Sequence, residues 1–518
     1  MRIRLAIPAL VIVFAWAGLA PNGSGSGAQM PDEVGEFEPQ EYEREWQPAN
    51  RGPFPDPAPM RAAAPTPKTS ITTGFDGVAA SNYSPSDTTG AGGANHLLAA
   101  VNINYQLFSR TGVSEVGPAP FETLFADQTG FQFDPRVVYD HFDDHYVLVF
   151  VGELPDDEVG YLYVVSIPDA TATNQSTWCA RRFAADQSND GNNSWLDYPG
   201  LGFDANRIYV TGNLVNFPFP QVGAQIIAFE KGGLYDCSDP VHKRVWGPDA
   251  TRFPDGSRSH TIQPSVVGGG AAGTGYLMAF DTGINGGAVV GNKLVLYRIR
   301  KRSGRLTMKK TEVKVGAAYV HPFSALQQGA PSSSSDAYWD AGDLELTNVF
   351  HDPARGRVYT VHTVERDLGG DGWIDMAMRW YEIKPAAKLD ESKVTRKGIF
   401  GTPNKDAGYP SIATDSSGNV FVAYSRASGV TGEEEYISSW VTVIEPGDTV
   451  PDAGNSVLLA AGDTFLNVRA GAERWGDYMA INRDPAGGSG VWVVGQAAHE
   501  AGPSTGDFLQ HVDLVAFP

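Results

Sequence analysis

Only two cysteines, Cys179 and Cys237, occur in 518 residues, so neither a disulfide-dense scaffold nor a zinc site built from cysteines can organise the chain. Basic residues are scarce: 39 Lys and Arg face 60 Asp and Glu, a net charge of −21. Phosphate backbones and anionic membranes attract basic surfaces, so this balance excludes nucleic acid and anionic membranes as partners. It suits cations, cationic partners or plain solubility. No phosphate-binding glycine loop, Cys/His zinc spacing or Gly-x-Ser-x-Gly elbow is present. No stretch keeps helical periodicity over three turns. Beyond the first thirty residues no apolar run is long enough to cross a bilayer, so the mature chain is expected to carry no membrane span, and to be a monomer.

What is present begins with the amino-terminal end. Arg2 and Arg4 precede an apolar run from Leu5 to Leu19 broken only by Pro8 and Gly18, and small residues follow, with cleavage positions after Ala17 or Ala28. This is the layout of a secretory signal peptide, and the run is short of the roughly twenty residues a span needs. The expected leader is residues 1–28, and the expected location is the extracellular or periplasmic space of a bacterial-type cell. Residues 29–68 are rich in Pro, Glu and Ala without periodicity, and cannot bury enough apolar surface to offset chain entropy. They read as a disordered acidic linker. In an oxidising compartment an even cysteine count favours a disulfide, whereas positions near the last strands of consecutive repeats set the two thiols apart; the residues leave the bridge open.

From residue 69 onward a phrase recurs: an Asp or aromatic residue, often Pro, alternating apolar positions, an Asp, a turn, then a β-branched and aromatic run. It appears as Asp134-Pro135-Arg136-Val137-Val138-Tyr139-Asp140 before His145–Phe150, as Tyr198-Pro199 to Asp204 before Ile208–Thr211, and as Tyr409-Pro410 to Asp415 before Val420–Tyr424. Looser copies start at Gln263, Asp343 and Asp477, and the weakest at Asp87, which makes seven. Each continues into a third run and usually a fourth, all short and bounded by Gly, Asn, Asp or Pro. Repeated groups of four short antiparallel strands predict a seven-bladed β-propeller over residues 69–518, an all-β fold that hides sheet edges by radial packing. The last copy supplies only three strands. The missing one is expected from Thr69–Phe75, which belongs to no other blade, so that an N-terminal strand closes the ring.

The phrases Asp87-Thr88-Thr89-Gly90, Asp134-Pro135-Arg136 with Tyr139-Asp140, Asp197-Tyr198-Pro199-Gly200 and Arg474-Trp475-Gly476-Asp477-Tyr478 resemble those of secreted bacterial β-propellers related to the sialidase-like, neuraminidase-type superfamily. The resemblance covers roughly residues 80 to 500. It implies the fold and is nearly silent on activity, because propellers host many functions.

The repeat register sets Asp87, Asp134, Asp197, Gln263, Asp343, Asp406 and Asp477 near the entry of the innermost strands. Carboxylates around one axis suit Ca²⁺, which takes oxygen ligands, although Asp is also favoured in tight turns for its own backbone bonds. Rings recur at the same starts: Trp195, Tyr198, His260, Tyr338, Trp339, Tyr409, Trp475 and Tyr478. With Arg136 and Arg474 they are candidates for ligand binding, since aromatic faces beside acids stack on sugars; the alternative is that they wedge between blades. Asp367, Asp371 and Asp375 are spaced partly like a Ca²⁺ loop, but no acid stands at the twelfth position, so an EF-hand is excluded. Ser188–Trp195 resembles the structural Asp-box of sialidase-type propellers. A sialidase also needs three arginines for the substrate carboxylate. The Arg-Ile-Pro phrase that brings the first is missing, and nothing assigns a catalytic set to Arg136, Arg258 and Arg474. The expected function is recognition of an extracellular glycan, peptide or cell-surface ligand, with Ca²⁺ as a candidate cofactor. A glycan-active hydrolase or lyase is the alternative.

Overall fold

The computed structural model describes residues 68–79, 84–125, 130–154, 158–187, 194–217, 221–270, 272–281, 290–320, 325–329, 338–342, 345–466, 473–487, 489–500 and 506–518. The expected leader, the linker up to residue 67, the 188–193 part of the Asp-box-like phrase and Asp343 lie outside these residues.

Strands form where β-branched and aromatic residues cluster. Phe131–Asp140, His145–Leu154, Val159–Pro168 and Cys179–Ala184 pair antiparallel in chain order. Ser194–Phe203, Arg207–Asn216, Gln221–Glu230 and Lys243–Trp246 repeat the pattern. The sheets that begin at Thr89–Gly92 and Asp406–Thr414 are also four-stranded meanders. Two more meanders, begun by Gln263–Val267 and Val349–Asp352, merge into one eight-stranded sheet, because their first strands pair in parallel from Ser265 opposite Val349 to Val267 opposite His351. The described helices are short, among them Gly232–Tyr235 and Pro248–Thr251, and no described helix is long and apolar enough to cross a membrane.

The inner strands are buried on both faces because each sheet stacks on the next, while the outermost are partly exposed. Phe133, Val149 and Leu162 of one sheet meet Trp195, Leu201 and Phe229 of its successor in a single apolar cluster. The first strands touch one another in a closed cycle: Thr89–Gly92, Phe131–Asp140, Ser194–Phe203, Gln263–Val267, Val349–Asp352, Asp406–Thr414, Ala480–Arg483, and back to Thr89–Gly92. Four-stranded sheets arranged radially around such a cycle are the architecture of a β-propeller.

The final sheet takes Ala480–Arg483, Gly490–Glu500 and Gly506–Ala516 from one end of the chain and Ser70–Asp76 from the other. Ser70 lies opposite Ala516 and Asp76 opposite His511, antiparallel, so the outermost strand is the stretch expected from the sequence. Gly77 N–H donates to the Gln510 carbonyl and Val78 N–H to its side-chain Oε1, both at 2.8 Å, which fixes the chain as it leaves the strand.

Cys179 and Cys237 are joined by a disulfide with Cα atoms 5.4 Å apart. Cys179 opens the outermost strand of one sheet, and Cys237 follows the short helix Gly232–Tyr235 of the next; that excursion brings the chain back across the gap between sheets. Arg181 Nη2 donates to the carbonyls of Cys237 and Asp239 at 2.9 Å and fastens the same junction. The bridge closes 58 residues of chain. Replacing both cysteines by serine is therefore expected to cost about 2–4 kcal/mol, mostly through the freed unfolded chain. Denaturant unfolding of the oxidised protein and the double variant measures this, and coincident midpoints would refute it.

Candidate functional site

The entry of the first strands is built by a repeated local device. In three sheets the pairing of the first two strands slips at an X-Pro step: between Phe133 and Arg136, between Asp197 and Gly200, and between Gly408 and Ser411. The residues before these prolines, Asp134, Tyr198 and Tyr409, have φ of 54°, 50° and 52°. A side chain in the left-handed region costs about 1 kcal/mol or more, and a following proline disfavours it further. Bonds between neighbouring sheets hold two of these residues there. Asp134 N–H donates to Asn102 Oδ1 at 2.8 Å, and Tyr198 N–H donates to Asp134 Oδ2 at 3.0 Å. Asp87, with φ of 47°, accepts from Asp477 N–H at 3.0 Å and from Asn102 Nδ2 at 2.5 Å. The last, first, second and third sheets are thus stitched together through aspartate side chains and one asparagine.

At the entries of three first strands the carboxylates converge, Asp134 from one of these bulges. Asp87, Asp134 and Asp477 each bring an oxygen to within 4.8 Å of the others, although they come from three different sheets. Asp87 and Asp134 are buried, and Asp477 is partly buried. Burial first, then the charges of Asp477 and Asp134, holds Asp87 well above the usual carboxylate range. Asp134 is pushed up to about 7 by burial and by Asp197 and Asp477, and Asp197 to about 7 by burial and by Asp477. Arg474 pairs with Asp477 at 3.0 Å, and this carboxylate keeps its guanidinium charged. Arg136 lies across the mouth. Its guanidinium carbon sits 3.2 Å from the centre of the Tyr478 ring, and it donates through Nε to the Pro199 carbonyl at 2.9 Å and through Nη1 to that of Thr347 at 3.4 Å. Tyr198 meets Tyr478 edge-on at 5.8 Å and donates its hydroxyl to the Asp477 carbonyl at 2.9 Å. Along the axis below, first-strand residues such as Thr89, Val137, Gln263 and Ile481 leave a cavity of only ≈ 50 Å³. That is room for a few water molecules and not for a sugar ring.

The structure brings together Asp87, Asp134, Asp197, Asp477, Arg136, Arg474, Tyr198 and Tyr478. The remaining candidates lie elsewhere. Trp195 is buried edge-on against Phe133 at 5.9 Å, between two sheets. Trp339, Tyr409 and Trp475 are packed in the interior, the Trp339 ring 6.4 Å from each of the other two, and Trp475 Nε1 donates to Ser425 Oγ. His260 is buried against Phe253 and faces Glu345 at 3.3 Å. These rings fill the wedges between sheets, where bulk is needed, and offer no face to a surface ligand. Asp406 accepts from the Met376 N–H of a neighbouring sheet, and Arg258 is exposed and bonds the Gln221 carbonyl. Asp367 accepts from Gly370 and Gly372 N–H, Asp371 from Trp373 N–H, and Asp375 from Asn404 N–H. The three acids of the loop therefore bond backbone within it or beside it instead of converging.

No family model matches the sequence, and no curated protein matches it either. Solved structures match it at low identity. A protein of unknown function from Dyadobacter fermentans is 9% identical over 87% of this chain and 100% of its own, with a TM-score of 0.38. A Trypanosoma rangeli sialidase in complex with sialic acid is 11% identical over 74% of this chain, with a TM-score of 0.34, and the match spans only 53% of that protein. An endo-arabinase from Bacteroides thetaiotaomicron is 12% identical over 61% of this chain and 95% of its own, at 0.25. The architecture here stands on the strand pairing and the closed cycle.

Two residues of the mouth carry no signal in the sequence. Asn102 reads as an ordinary hairpin-turn residue, yet it bonds both Asp87 and Asp134. Glu153 sits at the end of a strand, buried, pushed up to about 7 by burial, and its charge reaches Asp197. It stands just before the polar stretch that begins at Pro155-Asp156, so the sequence gives no sign that it is enclosed. Chemically, the mouth offers carboxyl groups that keep protons near neutrality, two guanidiniums and one partly open ring at Tyr198. Such a set can bond hydroxyls, hold a cation, or donate a proton.

Proposed function

We propose that the chain is an exported seven-bladed β-propeller, its domain running from residue 69 to 518 behind a leader and an acidic linker. In this reading it recognises an extracellular ligand at one mouth of its ring, outside the cell or in its envelope. The observation that carries this is the convergence of Asp197, Asp477, Arg474 and Tyr198, all part-exposed, above an axis too narrow to admit a ligand. Part-exposed acids beside a ring favour a hydroxyl-rich ligand such as a glycan, bonded through Asp and stacked on Tyr198. Recognition is preferred over sialidase chemistry because the guanidiniums are already engaged, Arg474 by Asp477 and Arg136 by carbonyls and the Tyr478 ring. Glycan-array binding by the wild-type chain tests this. Binding is expected without turnover of chromogenic glycosides, and Tyr198→Ala is expected to weaken it at least tenfold. An array without any signal would remove the glycan reading.

A second reading, glycan hydrolysis, draws on one observation: Asp134 and Asp197 are both pushed up to about 7, as a general acid would need. Turnover that disappears in Asp197→Asn would favour it over recognition.

A further inference from the structure

The charges at the mouth do not balance. Asp87, Asp134, Asp197 and Asp477 carry four negative charges when ionised, and Arg136 and Arg474 return two positive ones. Only Arg474 makes an ion pair within this set, with Asp477. Asp87 and Asp134 are buried and make no salt bridge among the described residues, although the Arg474 charge reaches Asp87, and burying such charges unpaired is costly. Besides a side-chain bond between Asp134 and Asp87, they accept from backbone N–H groups and Asn102, which orient the carboxylates without supplying a positive charge. A second observation points to the same place. Tyr478 Oη is buried, has no hydrogen-bond partner among the described residues, and lies in the field of Asp87, Asp134 and Asp477.

We propose that Asp87, Asp134 and Asp477 hold a divalent cation of the Ca²⁺ class, with the Tyr478 phenol beside it. Oxygens bound to one Ca²⁺ at 2.3–2.6 Å stand roughly 3 to 5 Å apart. The three carboxylates, mutually within 4.8 Å, match that spread. One dication would balance the two negative charges left when all four carboxyls are ionised, displacing the protons they otherwise keep. The carboxylates are hard oxygen donors with no sulfur or imidazole among them, which selects Ca²⁺ or Mg²⁺ over zinc or copper. The inference rests on the same mouth as the proposed recognition and names what pre-assembles it: the ion would tie the last, first and second sheets together where the ring closes.

The test uses the purified full chain after chelation, with Tb³⁺ as a luminescent stand-in for Ca²⁺ excited through the neighbouring tyrosines, and no glycan present. Saturable emission displaced by Ca²⁺ is expected, and Ca²⁺ alone should raise the melting temperature as its concentration exceeds Kd. Asp134→Asn should weaken Tb³⁺ binding at least tenfold, and Tyr478→Phe, which keeps the ring, should lower the emission. Asp371→Asn, in the loop of residues 367–375, should change neither. Circular dichroism confirms that each variant is folded. Should Asp87 and Asp134 fail to tolerate substitution, Asp477→Asn serves, being partly exposed. Emission lost in Asp371→Asn but kept in Asp134→Asn would overturn the site, as would the absence of saturable Tb³⁺ binding. Either result leaves glycan recognition to be judged on its own arrays.

Discussion

Removing the chain up to Asp76 is expected to open the ring, whereas removal up to Pro67 is expected to leave its stability nearly unchanged. The strand Ser70–Asp76 pairs along Gly506–Ala516 from Ala516 to His511 and has no other sheet to join. Phe75 packs on Phe108 of the first sheet at 5.4 Å, and Val78, just beyond the strand, is fully buried with Leu97, Trp492 and Val512. The deletion removes the half-buried Phe75 and the backbone pairing and frees the chain that anchors Val78, at a combined cost of about 5 kcal/mol. The longer deletion also uncovers Gly506–Ala516, a strand carrying Phe508, Leu509, Val512, Leu514 and Val515, as an unpaired edge, which templates association with other chains. A melting temperature lower by roughly 5 °C, at about 5 kcal/mol lost from a chain of this size, should accompany aggregates in light scattering. Equal stability and a monomeric profile for both deletions would show that the first strand is ornamental.

Asp513→Asn is expected to stabilise the protein strongly at pH 8 and hardly at all at pH 4. Asp513 lies in the same closing strand, opposite Gly74, where an added Cβ would stand 2.7 Å from its Oδ1. The carboxyl is buried, neither oxygen has a hydrogen-bond partner among the described residues, and burial pushes it up to about 8. The titratable side chain facing it, His511, has its Nε2 at 3.8 Å and is itself pushed down by burial, so it supplies no counter-charge. Between the unfolded pKa of about 3.9 and the folded value of about 8, the native state holds a proton that the unfolded state has released. The contribution of Asp513 to stability therefore falls as pH rises through this window, by up to about 1.4 kcal/mol per unit, and levels off above it. Over the window the loss sums to a few kcal/mol once partial hydration is allowed for. Asparagine has the same shape and no charge, so its variant should lack this slope. Urea unfolding of both proteins between pH 4 and 9 measures the difference, and parallel profiles would refute it.

Much of the fold was legible because it rests on local patterns. The first three strands of the second and third sheets coincide with runs of β-branched and aromatic residues, and the unattached stretch at Thr69–Phe75 found its place by counting strands. The disulfide was not legible: the last strands of neighbouring repeats diverge, and only the excursion through Gly232–Tyr235 brings Cys237 back to Cys179. The aromatic candidates divided for a similar reason. Tyr198 and Tyr409 stand at equivalent bulges with nearly equal φ, yet Tyr198 reaches the mouth while Tyr409 is packed beside Trp339. The repeat fixes backbone position; the neighbouring sheet decides what the side chain meets.

By itself, then, the sequence determined the alternation of strands and turns, the return of the first strand to the last sheet, and acids at strand entries. Each of these follows from residues within one repeat or from a count of repeats. Which acids converge was decided by the tertiary structure alone. Asp87, Asp134 and Asp477 are separated by long stretches of chain, and they meet because the entries of three first strands lie around one axis. Their raised pKa values belong to that convergence, since burial and mutual repulsion arise only when separate sheets bring like charges into one dry place.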